Sequence, residues 1–99
     1  MIKHLEKFED FENEIKEGIV LVDFYADWCG PCQMLSPNIE ALEQETQIKV
    51  IKVDTDAIPE LARMFGIMSI PTILLYKDGK LEKRDLGYKT IDELRNFIK

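Results

Sequence analysis

Cys29 and Cys32 stand three positions apart, separated only by Gly30 and Pro31 and preceded by the chain's one tryptophan, Trp28. They are also its only two cysteines. Thiols this close can form and open a disulfide, and structural cysteines have little reason to sit so near one another. The other chemistry open to a Cys-x-x-Cys pair is metal binding, and a closed zinc site needs about four ligands. Beyond the pair there is one histidine, His4, and scattered acids, with no second pair at a zinc spacing. Reversible thiol chemistry is the expectation, and no metal.

Such a pair works only if a strand and a helix hold it in place. Ile19 to Tyr25 is almost continuously apolar and rich in β-branched residues, as a parallel strand buried on both faces should be. Asp23 interrupts it. A carboxylate in a buried strand needs compensation, and burial raises its pKa toward neutrality, where proton transfer is useful. The Cys-Gly-Pro-Cys segment follows and opens a helix reaching about Glu45, with Leu35, Ile39 and Leu42 on its buried side. Pro37 lies inside that pattern, so a kink is expected near Gln33 and Met34. Gly30 permits close approach, and Pro31 stiffens the turn without needing an amide donor.

Other elements frame this core. Ile2 to Leu5 reads as a short edge strand. Phe8, Phe11 and Ile15 form one apolar stripe, predicting a helix from about Phe8 to Lys16 that Gly18 closes. Ile48 to Val53 is a second central strand. A short helix is predicted from Pro59 to Phe65, capped by Asp56 and ended by Gly66. Thr72 to Tyr76 is a strand, Asp78-Gly79 a hairpin turn, and Leu81 to Leu86 an exposed antiparallel edge that Gly87 breaks. Thr90 and Glu93 have the spacing of a capping box before a last helix with Ile91, Leu94 and Ile98 on its apolar face. The order β-α-β-α-β-α-β-β-α implies right-handed crossovers and helices on both faces of a mixed sheet. At 99 residues the chain is expected to be one domain spanning 1–99.

The net charge of −6 and the lack of a basic stripe argue against nucleic-acid and anionic-membrane partners. The N-terminus has no signal-peptide pattern, and no run reaches the roughly eighteen apolar residues of a membrane span. A cytoplasmic protein is expected. There is no Gly-x-Gly-x-x-Gly fingerprint, so any nicotinamide or flavin belongs to a partner, and no cofactor is expected on this chain.

The segments VDFYADWCGPC at 22–32, MLSP at 34–37, IKVD at 51–54 and FGIMSIPTILLYKDGK at 65–80 together resemble the thioredoxin family, over essentially the whole chain. A bare Cys-x-x-Cys is a weak signal; WCGPC with a strand aspartate before it and Ile-Pro-Thr after it is a strong one. The resemblance implies a thioredoxin-like three-layer α/β/α sandwich around a mixed five-stranded sheet. It also implies a monomeric protein-disulfide reductase that donates electrons through a Cys29–Cys32 dithiol. Cys29, at a helix N-terminus that favours the thiolate, would attack a client disulfide, and Cys32 would resolve the mixed disulfide; the lowered cysteine pKa of thioredoxin's motif is a standard example of that effect. Asp23 would assist deprotonation of Cys32, and Lys52 would tune Asp23 by pairing. Pro71 would follow a cis bond and present the backbone of Ile70 to an extended substrate. Trp28, Ser69, Ile70, Gly87 and Tyr88 would surround the thiols. Implied partners are an NADPH- or ferredoxin-linked thioredoxin reductase and clients such as ribonucleotide reductase, peroxiredoxin and methionine sulfoxide reductase.

Four positions depart from the family's common pattern. Tyr25 replaces a frequent tryptophan, Gln33 a basic residue, Tyr88 a small residue that would leave the groove wider, and Ile58 an asparagine cap. His4 is expected at a surface or edge, far from Cys-Gly-Pro-Cys. Two rival functions remain in view at this point. A thiol oxidase or disulfide isomerase is disfavoured by the Gly30-Pro31 spacer and the missing export signal. A non-catalytic assembly subunit with incidental thiols is the rival of a different class.

Overall fold

The computed structural model describes all 99 residues, Met1–Lys99. Its strands are β1 (Ile2–His4), β2 (Ile19–Tyr25), β3 (Lys49–Asp54), β4 (Thr72–Lys77) and β5 (Lys80–Leu86), and its α-helices are α1 (Phe11–Ile15), α2 (Gly30–Thr46), α3 (Pro59–Met64) and α4 (Ile91–Phe97). The strands form one sheet in the order β1-β3-β2-β4-β5. β1 and β2 flank β3 in parallel, while β4 runs antiparallel to β2 and β5 antiparallel to β4. This is the mixed five-stranded sheet expected from the element order.

Alternation along β2 divides the molecule. Val20, Val22 and Phe24 point to one face and pack with Phe11 and Ile15 of α1 and Leu61 of α3. Leu21 points to the other and packs with Leu35, Ile39 and Leu42 of α2 and Leu94 of α4. Each large apolar side chain so buried contributes about 1.5–3 kcal/mol relative to exposure. Asp23 shares the α2 face with Leu21, because side chains two apart on a strand point the same way.

Two local expectations need correction. Phe8–Asp10 is a 3-10 turn and only Phe11–Ile15 is α-helix. The tighter winding of a 3-10 turn breaks the 3.6-residue stripe, so Phe8 is exposed while Phe11 and Ile15 are buried. Helix α3 starts after Ile58 with no side-chain cap, and Asp56 does not cap it. The turn before it is held by Asp54, whose Oδ1 accepts from the amides of Asp56 and Ala57 at 2.9 and 3.3 Å. Helix α2 continues unbroken through Pro37 and stops at Gln47, which takes the left-handed conformation.

The hairpin and the last helix follow their signals. Asp78 and Gly79 both have positive φ, 49° and 84°, as a two-residue turn between twisted antiparallel strands requires. β5 is exposed along its length, as an edge strand rich in charge can be. Thr90 and Glu93 form the reciprocal capping box of α4, and Arg95 grips Glu45 of α2 through two bonds of 2.7 and 2.9 Å.

Candidate active site

Cys29 is the N-cap of α2, in extended conformation where β2 hands over to the helix. Its amide donates to Ala26 O at 3.2 Å, which folds the intervening turn tightly against the strand end. Its Sγ accepts from the Cys32 amide at 3.2 Å, taking the place a serine or aspartate oxygen holds in an ordinary cap. Pro31 sits in the first turn, where a missing N–H is harmless. The two cysteines are joined as a disulfide with their Cα atoms 5.3 Å apart, and both are buried. A sulfur at a helix head with an amide aimed at it is stabilised as the anion, so the site can cycle between disulfide and a reactive dithiol.

Across from the disulfide, the Ile70–Pro71 bond is cis. Ile70 O lies 3.7 Å from Cys29 Sγ. Thr72 Oγ1 donates to Ser69 O at 2.7 Å, holding the loop before the proline. A groove of about 430 Å³ runs beside Cys29, lined by Trp28, Gly30, Pro31, Ser69 and Ile70 and also by Thr55, Ala62, Ile67 and Met68. Trp28 is 72% exposed, and its indole N–H donates to Asp56 Oδ2 at 2.8 Å. Nothing in the spacing of Trp28 and Asp56 announces that bond. Met68, 95% exposed on the rim, was missed by sequence reasoning although it lies beside Ser69 and Ile70.

Gly87 and Tyr88 do not line this groove. The Gly87 amide donates to Pro71 O at 2.8 Å, so Gly87 sits next to the cis-proline strand. The Tyr88 hydroxyl accepts from Asn38 Nδ2 of α2 at 3.1 Å. Gln33 folds back to the start of the helix, where Nε2 donates to Asp27 O at 2.6 Å.

Behind the disulfide, Asp23 is 1% exposed. It faces Lys52, its register neighbour on β3, with Lys52 Nζ 3.6 Å from Oδ2. Its Oδ1 has no hydrogen-bond partner in the protein. Burial raises the carboxyl, and the Lys52 charge and hydrogen bond pull it partly back, leaving it at about 6. Lys52 is itself buried and donates to Ser36 Oγ at 3.2 Å. A cleft of about 490 Å³ opens on this side, with Cys32 and Lys52 in its wall. His4 also lines it, by way of a 3.2 Å bond between its Nδ1 and the Tyr25 hydroxyl. Its place on an edge strand was legible.

A disulfide at the head of a helix, on the end of a central strand of a mixed sheet and opposite a cis-proline, defines a thiol-disulfide oxidoreductase. The thioredoxin family model matches residues 2–99. The chain is 48% identical over 91 residues to a thioredoxin of Chlamydia muridarum, covering 91% of this chain and 89% of that one. It is similar to the solved structure of a mutant thioredoxin from Halobacterium salinarum, with a TM-score of 0.91 and 36% identity over 98% of this chain and 87% of that chain. A chain from a structure of the thiol resolving mechanism in yeast mitochondrial 1-Cys peroxiredoxin via glutathione/thioredoxin systems gives a TM-score of 0.90 at 33% identity, covering 98% of this chain and 92% of that chain. The chain belongs to the thioredoxin family. It is a thiol-disulfide oxidoreductase that carries electrons through a reversible cysteine pair. Its partners, as for the family generally, are disulfide-containing proteins and a thioredoxin reductase. No helix is long and apolar enough to cross a membrane.

Proposed function

We propose that Cys29 is the attacking thiol and Cys32 the resolving one. The Cys29 thiolate attacks a client S–S bond, forms a mixed disulfide and releases one client sulfur as a thiolate that takes up a proton. Asp23 then accepts the Cys32 proton, Cys32 attacks Cys29 Sγ, and the second client sulfur leaves. Two electrons pass to the client, and Cys29–Cys32 ends as a disulfide that a reductase reopens. The observation that carries the assignment is the asymmetry of the helix head, where the Cys32 amide points at Cys29 Sγ and not the reverse. The site also lies beside a groove lined by Trp28, Ser69 and Ile70.

Asp23 supports this reading by lying buried with a raised carboxyl, able to hold or release a proton close to neutrality. Lys52 tunes it. Gly30 and Pro31 set the turn, and cis-Pro71 leaves the Ile70 backbone facing the sulfur. An extended client segment pairs with that backbone, and the groove receives its side chains. Residues 1–99 act as one domain and a monomer in the cytoplasm. Clients include peroxiredoxins, a reading favoured by the likeness to a chain solved in a peroxiredoxin-resolving system, together with ribonucleotide reductase and methionine sulfoxide reductase. Electrons come from an NADPH- or ferredoxin-linked reductase.

Insulin reduction tests the assignment. Cys29→Ser should lower the rate to background, and Cys32→Ser should accumulate a mixed disulfide on Cys29 that mass spectrometry detects. Trapping on Cys32 in the Cys29→Ser protein, with none on Cys29 in the other variant, would reverse the two roles.

A further inference from the structure

The proposed role of Lys52 requires its ammonium to stay against Asp23, and the sheet explains how. His4 of β1, Lys52 of β3 and Asp23 of β2 are register neighbours, so the three form one row across the sheet. A lysine in such a row has a long flexible stem and an open cleft beside it, and its head would gain hydration by swinging outward. Three contacts oppose that swing. Ser36 Oγ accepts from Nζ at 3.2 Å. The Tyr25 ring face lies under the ammonium, 4.7 Å from Nζ to the centroid. His4 steadies that ring, both by the 3.2 Å bond to the hydroxyl and by an edge-on ring contact with centroids 6.0 Å apart.

We propose that Tyr25, Ser36 and His4 are positioning residues that hold the Lys52 ammonium against Asp23 and thereby govern proton exchange at Cys32. The proposal rests on the roles given above to Asp23 and Lys52. Burial and the carboxylates of Asp54, Asp27 and Asp23 push the Tyr25 phenol up, and its hydroxyl shares a hydrogen bond with His4 Nδ1. The charged and titratable groups around the cleft are His4 from β1, Lys52 from β3, Tyr25 and Asp27 from β2 and the loop after it, and Glu40 from α2. Among them Lys52 is the cation in contact with the Asp23 carboxylate. Displacing it removes the interaction that offsets burial, so Asp23 should hold its proton to higher pH.

The test is a carbon-13 NMR titration of the Asp23 carboxyl in the oxidised protein, where no thiol titrates nearby. Lys52→Met should raise the Asp23 midpoint by about one unit or more. Tyr25→Leu and Ser36→Ala should each raise it by about half a unit, His4→Ala by less in the same direction, and Tyr25→Trp, which keeps a ring face, should leave it in place. A shift in Lys52→Met with none in Tyr25→Leu or Ser36→Ala overturns the positioning role alone. No shift in Lys52→Met overturns the coupling of Lys52 to Asp23 itself. Should Tyr25→Leu fail to fold, Ser36→Ala and His4→Ala decide the matter, since His4 is exposed and its truncation leaves the core intact.

Discussion

The two faces of β2 are built from alternate residues of one strand, yet they do different work. Toward α1 and α3, Val20, Val22 and Phe24 pack into an apolar cluster that also takes in Ile51, Val53 and Leu74. Toward α2 and α4 the row begins the same way with Leu21, but its next member is Asp23, facing Lys52, with Ser36 of α2 bonded to the same lysine. Asp23 is as deeply buried as its apolar neighbours on β2, so the difference at that position is chemical. The first face stabilises the fold. The second holds a carboxyl group beside the cysteine helix and is less stable for it, because a buried carboxylate with an unpartnered oxygen is costly in its charged form.

Substitutions on the two faces should therefore move stability in opposite directions. The largest effect falls on the apolar side. Phe24 is fully buried and in tilted contact with Phe65, at 5.7 Å between ring centroids. Phe24→Ala should destabilise by about 3–5 kcal/mol at any pH, through lost burial and the cavity left behind. Urea denaturation measures it, and a loss below about 1 kcal/mol would mean that this face collapses around the gap.

Asp23→Asn should do the reverse. The folded carboxyl titrates at about 6 against an ordinary value of 3.8, so the folded state binds the proton more tightly than the unfolded chain. A raised acid leaves stability highest below the unfolded value and erodes it as pH climbs through that window. The asparagine variant escapes this loss. It should match the native chain near pH 4 and exceed it by about 3 kcal/mol at pH 8, from roughly two units at about 1.4 kcal/mol each. Its disulfide reduction should slow near neutral pH. A gain of equal size at both pH values would point to packing and not to charge.

The smallest effect lies outside both faces and serves as a control. Thr90→Ala removes the oxygen that accepts from the Glu93 amide at 3.2 Å and should cost about 1 kcal/mol without altering the pH dependence of reduction. Any change in that pH profile would mean that α4 is coupled to the cysteine site through α2.

Legibility followed the range of the interactions involved. The five strands, the hairpin turn at Asp78-Gly79 and the capping box at Thr90 were readable because each depends on neighbours a few positions away. Phe8 misled because a 3-10 turn and an α-helix share a spacing of three but not the face it defines. Asp56 misled because α3 starts two residues later, after Ile58, and its carboxylate instead accepts from the indole of Trp28, 28 positions away. The bond between Tyr88 and Asn38 spans 50 positions and has no local signal either. His4 was placed on the right strand, but its tie to Tyr25 depends on β1 lying beside β3.

By itself the sequence determined the kind of protein. Two thiols across Gly-Pro, an aspartate inside an apolar strand and a proline at the head of a later strand are chemical identities, and no arrangement of the chain would alter what they can do. The tertiary structure alone decided which of those groups meet. It put the Ile70 carbonyl across from Cys29, aligned His4, Lys52 and Asp23 in one row, and laid the Tyr25 ring under the Lys52 ammonium. The physical reason is that strand order and helix packing are settled by the burial of apolar side chains spread over the whole chain. Polar contacts between distant residues follow from that packing and leave no local pattern of their own.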